Sequence, residues 1–242
     1  MPLFTVVTVS YNCVETIEKT ILSVISQNCT NYEYIIIDGG STDGTVDIIK
    51  KYQEQLAYWC SEKDGGIYNA MNKGCGKASG LWINFLNSGD TFADSQVLSS
   101  VEREIVNTPS ADVVYGNIYI ERNGQLAVRQ AENPCNKQRM YFCHQSSFVK
   151  TELLRLLPFN EKYKMSADFS FFKHLYYLNK GFHKIDKALV VYDLRGISNT
   201  QRIAGLKENI AIIKEQDTMP KKVGFLMRLY FVVLWNTLRN KS

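Results

Sequence analysis

The sequence predicts an α/β protein with a mostly parallel sheet flanked by helices, and three observations carry that expectation. Apolar runs rich in β-branched and aromatic residues, Phe4 to Ser10, Tyr34 to Ile37 and Leu81 to Leu86, each break off into polar or small residues. Stretches with apolar residues at helical spacing lie between them, so strand, polar loop and helix alternate along the first ninety residues. With 242 residues, 45% of them hydrophobic and 21% charged, the chain suffices for a sizeable core in one large domain and does not read as disordered. Crossovers in such a sheet are right-handed, so the loops after the strands collect on one rim, where ligands bind.

The first strand, Phe4 to Ser10, is followed by Tyr11-Asn12 and a helix over Val14 to Gln27, in which Ile17, Ile21, Leu22, Val24 and Ile25 recur at helical spacing. After the strand Tyr34 to Ile37 comes the loop 38–45, with Asp43 as the N-cap of a helix through Ile48, Ile49 and Tyr52. Tyr58 to Ser61 is a third strand, leading into Glu62-Lys-Asp-Gly-Gly66 and a helix from Tyr68 that Gly74 is expected to stop. Residues 81–86 complete this half of the sheet. Further on, Val97 to Val106 reads as a helix, and Val113 to Ile120 with Leu126 to Arg129 reads as two strands around the turn 122–124. Residues 131–142 lack periodicity and read as a loop over the site. Ser146 to Val149 reads as a strand, Thr151 to Leu157 as a helix ending before Pro158, and Asp168 to Leu178 as a helix ending near Gly181. Ala188 to Tyr192 is a strand and Gln201 to Gln216 a helix. The chain is expected to divide into a domain over 1–217 and a basic amphipathic tail over 218–242.

The net charge of +4 is spread along the chain apart from the tail, which gives no nucleic-acid footprint. The six cysteines show neither CxxC pairs nor metal-type spacing, and no charged-then-apolar leader precedes the first strand. Scattered thiols of this kind point to a reducing compartment, so the expected location is cytoplasmic, with peripheral contact at the inner face of a membrane through the tail.

The rim carries the candidate chemistry. Asp38 follows a strand and precedes Gly39 and Gly40, so its carboxylate can accept from a base N–H or a ribose hydroxyl, or serve a glycine-rich turn. The stretch Glu62 to Gly74 offers Asp64, Asn69, Asn72 and Lys73 to a nucleotide, or forms a capped amphipathic helix. Asp90 closes the stretch Asn87-Ser88-Gly89-Asp90 after the fourth strand. Three carboxylates, Asp38, Asp64 and Asp90, on one rim suit a hard divalent cation, which takes oxygen ligands and bridges phosphates. The glycine-rich loop is neither a Walker loop nor a dinucleotide loop, lacking both GKS/T and the GxGxxG spacing.

In combined order and spacing, several of these stretches resemble glycosyltransferase family 2, the inverting enzymes whose catalytic domains have the nucleotide-sugar-binding GT-A fold. They are Val7-Thr-Val-Ser-Tyr-Asn12, Ile36-Ile-Asp-Gly-Gly-Ser-Thr-Asp-Gly-Thr45, Asp64-Gly-Gly-Ile-Tyr-Asn-Ala-Met-Asn-Lys-Gly74, Ala78-Ser-Gly80 and Leu86-Asn-Ser-Gly-Asp90. The resemblance implies that Asp38 and Asp64 contact the nucleobase or ribose, that Ser10 and Asn12 lie near the nucleotide, and that Asp90 holds the metal, Mn²⁺ or Mg²⁺. Where many relatives carry Asp-x-Asp, this chain has Asn87-Ser88-Gly89 and keeps only Asp90 charged. An Asn87 carbonyl is still a competent ligand. Asp168, in Met165-Ser-Ala-Asp-Phe-Ser-Phe-Phe172, stands where the family carries the base that deprotonates the acceptor hydroxyl. Its other reading is a helix N-terminal carboxylate favoured by the dipole. Cys143-His-Gln-Ser-Ser-Phe148 resembles a segment of one branch of small bacterial-type polysaccharide and lipid-linked glycan enzymes. There His144 would contact the diphosphate or the metal, or serve as a structural hydrogen-bonding residue. Gly196 to Thr200 is a polar loop that in that branch would close over the donor.

The resemblance implies transfer of a sugar from a nucleotide sugar, a UDP-sugar first among them, to a glycan or lipid-linked acceptor in cell-surface polysaccharide synthesis. The departure at Asn87 to Gly89 keeps open a second reading, an inactive nucleotide-sugar-binding partner of an active transferase. A nucleotidyltransferase, marked by pyrophosphate release, is a third. In the tail, helical geometry puts Lys221, Arg228 and Arg239 on one line and Leu226, Tyr230, Val233 and Thr237 on the opposite face, with Phe231 and Leu234 to one side. Such a helix suits an anionic membrane interface, or docks on the domain or on a second subunit.

Overall fold

The computed structural model describes residues 1–122, 124–135, 138–196 and 201–239, the last three of them by their backbone only. In chain order the first half runs β1 (Phe4–Ser10), α1 (Ile17–Ile25), β2 (Tyr32–Asp38), α2 (Thr45–Lys51), β3 (Tyr58–Ser61), α3 (Ile67–Lys77), β4 (Trp82–Phe85), β5 (Thr91–Phe92) and α4 (Val97–Asn107). The second half runs β6 (Val113–Arg122), β7 (Gln125–Arg129), β8 (Ser147–Lys150), α5 (Thr151–Leu156), α6 (Ala167–Tyr177), β9 (Phe182–Tyr192), α7 (Arg202–Gln216) and α8 (Lys221–Arg239).

The strands form one sheet in the order β3-β2-β1-β4-β8-β6-β9-β5, with β7 paired to β6. β1 pairs in parallel with β2 and β4, and β2 in parallel with β3. The antiparallel strand β8 joins this half to the second, where β6 and β9 run parallel. Alternation along β1 explains why both faces are covered. Val7 and Val9 point into a core with Tyr68 and Met71 of α3 and Phe169 and Phe172 of α6. Phe4 and Val6 point into an opposite core with Ile17, Ile21 and Val24 of α1 and Val97 and Val101 of α4.

Several local expectations change. The first helix starts at Ile17, not Val14, because Asn12 adopts a left-handed conformation (φ 46°) and residues 12–14 are bound by the loop after β2. The Asn12 N–H donates to Ser41 Oγ (2.8 Å) and the Val14 N–H to Asp43 Oδ2 (3.0 Å). Asp43 is therefore shared with the first loop, and Gly44 (φ 102°) is the N-cap residue of α2, although Asp43 Oδ1 still accepts the Thr45 N–H at 3.0 Å. Gly74 does not stop α3, which continues to Lys77; a Cβ at Gly74 would lie 2.5 Å from Val7 Cγ1, so glycine there lets helix and strand approach. Strand β9 starts earlier than its apolar run, at Phe182, and β5 is a short strand that the sequence pattern did not signal. The end of the aperiodic stretch 131–142 enters the core, where Phe142 stacks on Tyr115 with centroids 4.3 Å apart. Asn123 of the β6–β7 turn and residues 197–200 of the loop expected over the donor lie outside the described residues.

Candidate active site

The register of the parallel strands aligns three polar ends: Ser10 of β1 opposite Asp38 of β2, and Asp38 opposite Ser61 of β3. Their side chains converge. Asp38 is buried and accepts from Ser10 Oγ (2.9 Å), Ser61 Oγ (2.6 Å), Ser41 Oγ (2.6 Å), the Ser41 N–H (2.8 Å) and the Gly40 N–H (3.1 Å). Burial pushes its carboxyl up, but the hydrogen bonds from Ser41, Ser61 and Ser10 outweigh that and hold it below the usual carboxylate range. Both oxygens are thus committed to the protein. Asn12 Oδ1 accepts the Thr42 N–H at 3.0 Å, tying the loops after β1 and β2 together. Asp64 sits across from this turn: its Oδ1 accepts the Gly66 N–H (2.8 Å), and a Cβ at Gly39 would lie 2.7 Å from its Oδ2. Ser10, Asn12, Asp38 and Asp64 therefore share one end of the rim, as the sequence placed them.

A second cluster lies beyond β4. The Ser88 N–H donates to Val9 O (3.1 Å), which keeps the turn after β4 beside the end of β1. Thr20 of α1 buttresses the turn, its hydroxyl donating to Asp90 O (2.7 Å) and accepting the Gly89 N–H (3.0 Å). Asp90 is buried, and its Oδ1 accepts the Asp193 N–H at 2.8 Å. Burial pushes its carboxyl up to about 7, more than the Asp193 N–H, His144 and Gln145 together bring it down.

Asn87, His144, Asp168 and Tyr68 form a chain of hydrogen bonds. His144 Nδ1 is 3.1 Å from Asp168 Oδ2, His144 Nε2 is 3.3 Å from Asn87 Nδ2, and the Tyr68 hydroxyl donates to Asp168 Oδ1 at 2.8 Å. A neutral imidazole with its proton on Nδ1 satisfies both contacts, donating to the carboxylate and accepting from the amide. Asp168 lies in the first turn of α6, so its charge also faces the helix N-terminus. Burial pushes the Asp168 carboxyl up, but His144 and Tyr68 outweigh it and hold the group below the usual range. Burial and the Asp168 charge push the Tyr68 phenol well above its ordinary value, so it stays a donor. Beside Tyr68 a cavity of about 180 Å³ opens between Gly65, Gly66, Glu161, Tyr163, Lys164 and Met165.

The residues fit a divalent cation as a partial ligand set. Asn87 Oδ1 is buried without a hydrogen-bond partner, and the nearby Asp90 carboxyl is costly to ionise where it stands, a cost that a cation would offset. Among the described residues no three His, Cys, Asp or Glu side chains gather into a closed metal site, so phosphate and water would complete the shell. Tyr68, Ser41, Ser61, Thr20, Gln145 and Asp193 were not foreseen as site residues. Ser41 and Tyr68 lie inside the quoted motifs, whereas Asp193 is 103 positions from Asp90 and carries no local signal.

The family model described as glycosyl transferase family 2 matches residues 5–177, a span that holds both clusters apart from Asp193. A "PGL/p-HBAD biosynthesis glycosyltransferase" of Mycobacterium bovis is 30% identical over 178 residues, covering 70% of this chain and 68% of that one. Among solved structures, residues 1–349 of S. aureus TarS in complex with UDP-GlcNAc superpose with a TM-score of 0.73 at 22% identity, covering 95% of this chain and 72% of that one. The mannosyltransferase PcManGT of Pyrobaculum calidifontis, in complex with GDP-Man and Mn²⁺, superposes with a TM-score of 0.71 at 16% identity, covering 96% of this chain and 70% of that one. These likenesses at low identity show the shared fold, and the family match over most of its length shows that the chain belongs to glycosyl transferase family 2.

Proposed function

We propose that this chain transfers one sugar from a nucleotide sugar, a UDP-sugar by preference, to a hydroxyl of a glycan or lipid-linked acceptor in cell-surface polysaccharide synthesis, inverting the anomeric carbon. The observation that carries the reading is Asp168, a carboxylate oriented by His144 and Tyr68 and set between the Asn87–Asp90 turn and the cavity beside Tyr68. The nucleotide would lie along the Ser10, Asn12, Asp38 and Asp64 end of the rim. Since both Asp38 oxygens are engaged, its contribution is chiefly to shape the loop that presents backbone and serine donors. The acceptor would enter from the cavity side, its hydroxyl giving its proton to an Asp168 oxygen as it attacks the anomeric carbon in line with the departing nucleoside diphosphate. His144 is a positioning residue in this scheme: its Nδ1–H fixes the carboxylate, and its Nε2 and Asn87 face the diphosphate side. Asp90 and Asn87 would hold a Mn²⁺ or Mg²⁺ ion, which when bound neutralises charge on the leaving diphosphate.

The test is release of nucleoside diphosphate from a panel of nucleotide sugars in the presence of acceptor glycans and glycolipids. UDP release that requires acceptor, with anomeric inversion in the product, is expected. Release of pyrophosphate would indicate nucleotidyl transfer, and binding of the donor without turnover under any condition would leave a binding partner of another transferase.

A further inference from the structure

Helix α8 is held to the domain by one side only. Leu229 is buried, and Phe225, Leu226 and Val233 pack with it against Leu206, Ile210 and Ile213 of α7. Lys173 of α6 lies 5.5 Å from the Phe225 ring centroid, so this inner face is also anchored on the helix that carries Asp168. The outer side is a continuous apolar stripe, Val223, Met227, Tyr230, Phe231, Leu234 and Trp235, at spacings that return to one helix face. It is open to solvent, Met227 and Phe231 being 69% and 67% exposed. The sequence had set Tyr230 with Leu226 and Val233, but the structure turns Tyr230 outward, and Thr237 and Arg239 lie where only the backbone is described.

Cations line this stripe on both sides. Lys221 and Arg228 fall along one border, and Lys214 lies over the Tyr230 ring at 5.6 Å on the other. The acids of the adjoining segment are turned away. Glu208 accepts backbone N–H groups of residues 164–166, Glu215 pairs with Lys162 and Tyr163, and Asp217 is buried against Lys173 and Tyr177. Among the described residues no salt bridge involves Lys214, Lys221 or Arg228, and no helix is long and apolar enough to cross a membrane. A stripe containing Trp, Tyr and Phe, bordered by unneutralised cations and free of acids, matches a bilayer interface: rings at headgroup depth, ammonium and guanidinium groups at the phosphates.

From this we infer that the outer face of α8 is a docking surface for an anionic lipid bilayer, on which the helix lies flat. The inference is independent of the transfer reaction, since binding to vesicles requires neither donor nor acceptor. Its test is cosedimentation of the full chain with vesicles of phosphatidylcholine mixed with phosphatidylglycerol, against vesicles of phosphatidylcholine alone. Binding to the mixed vesicles that weakens with salt is expected. Each Lys or Arg at an anionic surface is worth about a fivefold change in partitioning, so Lys221→Glu with Arg228→Glu should lower binding by more than tenfold. Phe231→Glu with Trp235→Glu should abolish it, with thermal unfolding unchanged because both side chains are exposed. Equal binding to neutral and anionic vesicles, or no loss in either double variant, would overturn the inference. So would a concentration-dependent dimer dissolved by Phe231→Glu with Trp235→Glu, which would assign the stripe to a second copy of the chain.

Discussion

Asp168 meets two donors, and the roles proposed for its neighbours separate by how they act on that carboxylate. Asp168→Asn keeps the size and hydrogen-bonding reach of the side chain but cannot take a proton, so transfer should fall by roughly 10²–10⁴-fold while UDP binding persists. Near-normal turnover in a steady-state assay would remove Asp168 as the base. His144 lowers the Asp168 pKa against the effect of burial, so His144→Ala should raise it and move the acid limb of the kcat/KM profile to higher pH. An unmoved limb would leave His144 a merely structural residue. Asp90 behaves oppositely. Its folded pKa of about 7 lies above its usual 3.8, so the folded state holds a proton that the unfolded state gives up between those values. Its contribution is therefore favourable below that window, is lost as pH rises through it, and leaves a penalty above it. Asp90→Asn should stabilise the metal-free protein at pH 8 by on the order of a few kcal/mol, read by urea unfolding, and should cancel any Mn²⁺-dependent gain in nucleotide binding. Lower stability at pH 8 would contradict a carboxyl whose burial outweighs its hydrogen bonds. These positions were legible because they sit in dense motifs, whereas their electrostatic states were not. The state of Asp90 depends on burial and on Asp193, which reaches it from the far end of β9.

At the scale of elements, local pattern located helices and strands, and tertiary contacts moved their ends. Gly74 reads as a stop from sequence because glycine terminates helices, yet here it is the contact point of α3 on β1. Gly74→Ala should cost about 1–3 kcal/mol, because overpacking against Val7 outweighs the better helix propensity of alanine. A stabilised variant in urea unfolding would show that the contact yields. The link between α6 and the end of α7 was likewise invisible to periodicity. Lys173 Nζ lies 2.9 Å from Asp217 Oδ2 with both side chains fully buried, and the Tyr177 hydroxyl donates to Asp217 Oδ1 at 2.6 Å. Burial lowers the Lys173 pKa, but the carboxylate partner counters it. Asp217→Ala would strand the ammonium in an apolar setting and should destabilise the protein by about 3–5 kcal/mol, with Tm falling accordingly.

For the whole molecule, the sequence specified the parallel half because each of its strands is a compact apolar run followed by a polar loop, and β1 to β4 lie near those runs. The second half was less legible for a physical reason: β8, β6 and β9 come together across long stretches of chain, as in Val114 against Phe148, 34 positions away, and His183, 69 positions away, and nothing local encodes that pairing. That half nevertheless supplies His144 and Asp168 and closes the site against the turn after β4. Together the two clusters on one rim are proposed to form a nucleotide-sugar site assisted by a divalent cation. Thermal unfolding with UDP, GDP, CDP and dTDP, each with and without Mn²⁺, tests it most directly. Ligand at 100 times its Kd adds about 2.7 kcal/mol, which for a chain of this size raises Tm by roughly 5–10 °C. A rise with UDP that requires Mn²⁺ is the predicted result, and no rise with any nucleotide, with or without the metal, would contradict it.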